Sequence, residues 1–186
     1  MVSGSTAATN ADTLIFNVMY AFYTGCSSFM SQNYGARNKK RVLKSYFISL
    51  FYSFTTGLIL GLLLFIFGHQ FMSLFATDAA VIDAGMQRIK IMAFSYCVSA
   101  FMDCTIAASR GLGKTVIPTI IIILGSCVFR IVWIYTIFAW IHTIPALFLL
   151  YLFSWIITSI AEIIYFIIIY RNCLLYTSDA ADDMQC

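Results

Sequence analysis

Charge is scarce in this chain. Asp, Glu, Lys and Arg make up 10% of its 186 residues, against about 25% in an ordinary soluble domain. So little charge cannot cover a water-facing surface, which excludes a soluble globular fold. Proline occurs twice, at Pro118 and Pro145, each near the start of an apolar run, where a missing N–H is tolerated. Met1 is followed by no basic segment and no short apolar stretch with a small-residue cleavage site, so no signal peptide is expected. The loop SRGLGKT ends like a phosphate-binding loop, but its first glycine would fall at Ala108 and no strand precedes it. Cys26, Cys97, Cys104 and Cys127 fall singly in apolar segments without metal-ligand spacing. They read as small packing residues, and no metal site is expected.

What the chain has is apolar runs: Tyr46–Gly68, Ile91–Ser109, Val116–Ile141 and Leu147–Tyr170. As helices each is about 28–39 Å long, enough to cross a hydrocarbon core of about 30 Å. A barrel would instead show alternating segments of about ten residues. A fifth, more polar span carries Asn17, Thr24, Gly25, Ser27 and Ser28, small or hydroxyl residues that favour helix–helix packing in lipid. The expected fold is therefore all-α and polytopic, with spans near residues 6–33, 46–68, 88–109, 116–141 and 147–170. Thr77–Lys90 is expected to form a short interfacial helix capped by Thr77 or Asp78. Gly57-x-x-x-Gly61 is a close-packing motif in an apolar helix.

The stretch from Cys173 to Asp183, CLLYTSDAADD, resembles one translated frame of a transposase sequencing adapter over eleven residues. Residues 173–186 are accordingly set apart as a non-native tail. An outside N-terminus without a signal, and five spans, suggest a piece missing from the front.

Basic residues cluster between the first and second spans (Arg37, Lys39, Lys40, Arg41, Lys44), between the third and fourth (Arg110, Lys114) and after the fifth (Arg171). The opposite loops hold His69, Asp78, Asp83 and His142. The positive-inside rule then places the C-terminus in the cytoplasm and the N-terminus outside. Arg88 and Lys90 break the pattern and are expected to snorkel to the outer interface.

Three charged residues stand inside the four apolar runs: Asp103, Arg130 and Glu162. Counted from the basic ends, they lie about 10, 21 and 13 Å deep respectively. Each would cost about 2.5–3.5 kcal/mol at a helix centre, so each should face protein or water. Two readings stay open, a polar layer that binds a cation or proton and structural glue between helices. Asn17 is a further candidate, with glue the simpler role. An intramembrane enzyme would need paired catalytic groups at one depth. Only Asp103 and Glu162 approach this, and the chain is read as not an enzyme.

Several stretches resemble the multidrug and toxic compound extrusion (MATE) transporters in order: AATN with SFMSQNYGARNKKR, LFATDAAVI, FMDCTIAASRGLGKTVIPTIIIILGSCVFRIVWIYTIF and HTIPALFLLYLFSWIITSIAE. The motif loop is Arg110, Gly111, Gly113, Lys114 and the following Pro118. The resemblance covers about residues 3–171. It implies that residues 1–172 form helices eight to twelve, most of one lobe of a twelve-helix, two-lobe transporter. It further implies efflux of drugs or amphipathic organic cations by antiport with protons or sodium ions, with no other cofactor. Lipid and the missing N-terminal lobe are the implied partners, nucleic acid is not one, and the implied location is a bacterial inner (plasma) membrane. Two alternatives stay open: a lipid-linked oligosaccharide flippase of the same superfamily, and a membrane-embedded structural subunit.

Overall fold

The computed structural model describes residues 2–74, 77–141 and 144–182, with side chains described for 9–74, 77–83, 85–140 and 148–172. His142, Phe75 and Ala76 lie outside the described residues, as do the last four of the tail. Among the described residues there are helices and no strand. Helix α1 is Val2–Gly35, α2 Lys39–Ser73 and α3 Ala79–Gly111. Helix α4 is a composite running from Val116 to Ile141, and α5 is Ile144–Asp182. Segments within α2, α3, α4 and α5 are long and apolar enough to cross a membrane: Lys39–Ser73, Ala79–Gly111, Val116–Phe138 and Phe148–Asn172. The helix form follows from the solvent, because in lipid a backbone without water must satisfy its own N–H and C=O groups.

The ends are built locally. Asn38 caps α2, its side chain accepting from the Arg41 N–H at 3.1 Å. Asp78 caps α3 by accepting from the Ala80 N–H at 3.0 Å. Beyond α3, Gly113 takes φ +77°, its N–H reaching the Arg110 carbonyl at 2.9 Å while that of Lys114 reaches Ser109 at 3.1 Å. This is the Schellman stop, which favours glycine at the left-handed position. One motif glycine therefore ends a helix. The other, Gly111, lets α3 touch α1, since an added Cβ would meet Met30 Cβ and the Ser27 carbonyl oxygen at 2.7 Å.

Helices α1, α2 and α5 pack around α3, whose buried stripe includes Ile82, Ile89, Met92, Tyr96 and Ala100. Contacts fix which ends coincide. Gly111 lies on Ser27 and Met30, and the Tyr170 hydroxyl donates to the Lys39 carbonyl at 3.3 Å. The basic loops thus share one end of the bundle. At the crossing of α2 and α3, Gly57 and Gly61 face Tyr96 and Ala93. Tyr46 and Thr105 share a hydrogen bond of 2.9 Å, and the Tyr46 ring lies 4.6 Å from that of Phe166 on α5.

One expectation needs correction. No separate interfacial helix spans Thr77–Lys90. Asp78 caps a single helix that continues to Gly111, because the buried stripe from Ile82 through Ile89 to Tyr96 keeps one face against the bundle. Helix α4 is not uniform. It passes from Val116–Ile122 through a π-helical segment, Ile123–Val128, to Phe129–Trp133, then through a second π-helical segment, Ile134–Phe138, to Ala139–Ile141. Such widened turns often mark functional positions.

Candidate functional site

The polar candidates are built on α1, α3, α4 and α5. A cavity of about 420 Å³ opens between α1, α3 and α4, lined among others by Tyr20, Tyr23, Ser27, Asp103, Arg110 and Ile122. Asp103 and Arg110 stand about two turns apart on α3 and so project from one face. Ring faces from α1 complete a site with an acid, a cation and π-surfaces.

Glu162 lies on α5. It is fully buried, and neither carboxylate oxygen has a hydrogen-bond partner among the described residues. One turn earlier, Thr158 sits hard against Gly125 of α4, in contact with the place a Cβ would occupy. One turn toward the basic end, α4 presents Ile122, which lines the cavity. Asp103 and Arg110 thus form one polar group at the cavity, and Glu162 is a separate buried acid on α5.

Arg130 is not part of that group. From between the π-helical segments its Nε donates to Ser154 Oγ at 3.4 Å, and its guanidinium lies 4.5 Å from the Tyr151 ring centroid. Ser154 in turn donates to the Gly125 carbonyl at 2.8 Å. Both of these partners of Arg130 are thus on α5. Asn17 is exposed on α1 and does not line the cavity. Arg110, Gly113 and Lys114 are exposed at the α3–α4 turn, and Pro118 is buried in the first turn of α4. If Ser154 and Tyr151 hold Arg130, Arg130→Ala lowers thermal stability in detergent by about 1.5–3 kcal/mol, the usual loss of a charged hydrogen bond. Arg130→Lys recovers the cation–π contact but not the planar fork. An unchanged melting temperature for Arg130→Ala would show that α5 does not depend on it.

A second polar cluster was not visible in the sequence-based reading. Asp12 on α1 is buried, and Arg88 Nη2 on α3 donates to its Oδ2 at 2.6 Å. The Tyr96 hydroxyl donates to Asp12 Oδ1. The Arg88 guanidinium also lies 5.8 Å from the Phe148 ring centroid on α5. Arg88 therefore does not snorkel outward. Its side chain is 12% exposed and that of Asp12 8%, because an acid waits inside the bundle. Asp12 and Arg88 stand ten and nine residues into helices that begin at the same end.

Charged side chains inside a bundle of long apolar helices define a polytopic α-helical membrane protein with intramembrane ionisable groups. The sequence matches the MatE family over residues 1–136, and the chain belongs to that family. No match is found among curated proteins. The fold is similar to that of a multidrug resistance MATE family transporter of the MOP superfamily in its outward-facing conformation, with a TM-score of 0.84 at 16% identity over 92% of this chain. The inward-facing conformation of such a transporter gives 0.79 at 15% identity over 89%. A MOP superfamily transporter from Pyrococcus furiosus, described as having a binding pocket of reversed polarity that suggests a different function, gives 0.83 at 19% identity over 92%. The chain spans 39% of the length of each of these structures.

Proposed function

We propose that this chain is part of a secondary transporter that expels drugs or amphipathic organic cations in exchange for protons or sodium ions. The carrying observation is that Asp103 lines a cavity with aromatic walls while a second acid, Glu162, is fully buried with no hydrogen-bond partner among the described residues. Intramembrane acids mark ion pathways by default, because their burial is expensive unless it serves the ion that visits them. Phe16, Tyr20 and Tyr23 line the cavity, and aromatic rings can hold an organic cation. The basic loops belong on the cytoplasmic side of a plasma membrane in this reading. The substrate site of such transporters lies between repeats that rock against each other, so activity belongs to the full-length protein.

The test is efflux from proteoliposomes under an imposed proton or sodium gradient, using full-length protein. Asp103→Asn and Glu162→Gln should each lower gradient-driven efflux by about 5–150-fold, the range of an ordinary coupling energy, while the amount of folded protein stays unchanged. Full efflux by both folded variants would defeat the reading.

A further inference from the structure

We propose that Cys26 and Cys104 form a redox-active dithiol whose oxidation to a disulfide ties α1 to α3 behind the Asp103 cavity. The two residues are 78 positions apart in sequence, and both are fully buried. Their sulfurs lie 3.7 Å apart, with the Cys104 thiol donating to Cys26 Sγ. The Cys26 thiol donates in turn to the Cys104 carbonyl at 3.9 Å. A disulfide bond is about 2.0 Å long, so the sulfurs must close by about 1.7 Å. Side-chain rotation with a small helix shift supplies that, since the thiols already face each other. Cys97 and Cys127 make no thiol–thiol contact among the described residues.

The place of the pair gives it a consequence. Tyr23 and Ser27 flank Cys26 on α1, Asp103 and Ala107 flank Cys104 on α3, and all four line the cavity. The helices that a disulfide would join are thus two that line the cavity. Hydrogen peroxide, small and uncharged, is the oxidant proposed for this buried pair. The Cys26 thiol loses its proton, and its sulfur attacks a peroxide oxygen to give a sulfenic acid, with water leaving. Cys104 sulfur then attacks Cys26 sulfur, and its proton leaves with the hydroxyl as a second water. Two thiols and one hydrogen peroxide become one disulfide and two waters.

The experiment treats the chain in detergent micelles with hydrogen peroxide, in wild type and in a variant keeping only this pair (Cys97→Ser, Cys127→Ser, Cys173→Ser, Cys186→Ser). Protein is then denatured, alkylated and mapped by mass spectrometry. The expected result is a Cys26–Cys104 peptide pair lacking two hydrogens and released by dithiothreitol, together with a higher melting temperature for the oxidised chain. Cys104→Ser should abolish both and leave Cys26 sulfinic. Full alkylation of both thiols after peroxide, or their separate oxidation in chains that remain monodisperse on gel filtration, would overturn the proposal. So would a cross-link confined to unfolded material.

Discussion

Asp12→Ala and Arg88→Ala are each expected to destabilise the bundle by about 3–5 kcal/mol, because each breaks a buried ion pair by removing one partner. The pair joins α1 to α3 at 2.6 Å, with Tyr96 on the second carboxylate oxygen. The cost follows from what remains. After Asp12→Ala the guanidinium keeps the Phe148 ring at 5.8 Å but loses its carboxylate. After Arg88→Ala the carboxylate keeps only Tyr96 among the groups shown to contact it. The double variant removes both charges together and should cost less than the sum of the two, with a coupling of about 0.5–3 kcal/mol. Tyr96→Phe should be milder, about 1.5–3 kcal/mol, since one hydrogen bond to a charge is lost. Thermal unfolding in detergent, read by gel filtration, measures all four. If the two single variants melt with wild type, the cluster is not what holds α1 on α3.

The helices were legible because long apolar runs admit few other solutions in lipid. The Gly57-x-x-x-Gly61 motif was legible for a related reason, since small residues at that spacing expose one strip of backbone. The Asp12–Arg88 pair was not. Asp12 sits in the most polar span, where an acid raises no alarm, and Arg88 stands near a helix end where snorkelling is the usual outcome. Pairing across 76 residues is set by how α1 and α3 are aligned, which periodicity along one helix does not encode. The Cys26–Cys104 contact escaped for the same reason, each thiol reading as a packer by itself. Among the candidate acids, the common depth of Asp103 and Glu162 followed from counting residues, but which neighbours each meets depended on how α3 and α5 pack in the bundle. The π-helical segments around Arg130 re-aim that side chain toward Ser154 and Tyr151, and nothing in the local sequence announces them.

Gly61→Ala should destabilise the bundle by about 1–3 kcal/mol, the usual range for overpacking, although alanine is the better helix former. In an unconstrained helix the substitution would gain about 0.8–1.0 kcal/mol, so the sign of the effect is decided by space. An added Cβ at Gly61 would overlap the Ala93 carbonyl oxygen, with the carbonyl carbon at 3.2 Å and Tyr96 Cδ2 at 3.4 Å. Ala93 backbone cannot rotate out of the way as a side-chain end can, so α2 and α3 must separate. That separation also strains Tyr96, which holds Asp12. Gly57→Ala meets Met19 Cε at 3.2 Å, the end of a flexible side chain, and should be nearly neutral. Gly25→Ala meets nothing within 4 Å and should be neutral or stabilising. The order of melting temperatures is therefore Gly25→Ala highest, Gly57→Ala next and Gly61→Ala lowest. A Gly61→Ala chain that melts with Gly25→Ala would mean that α2 and α3 do not cross at this glycine.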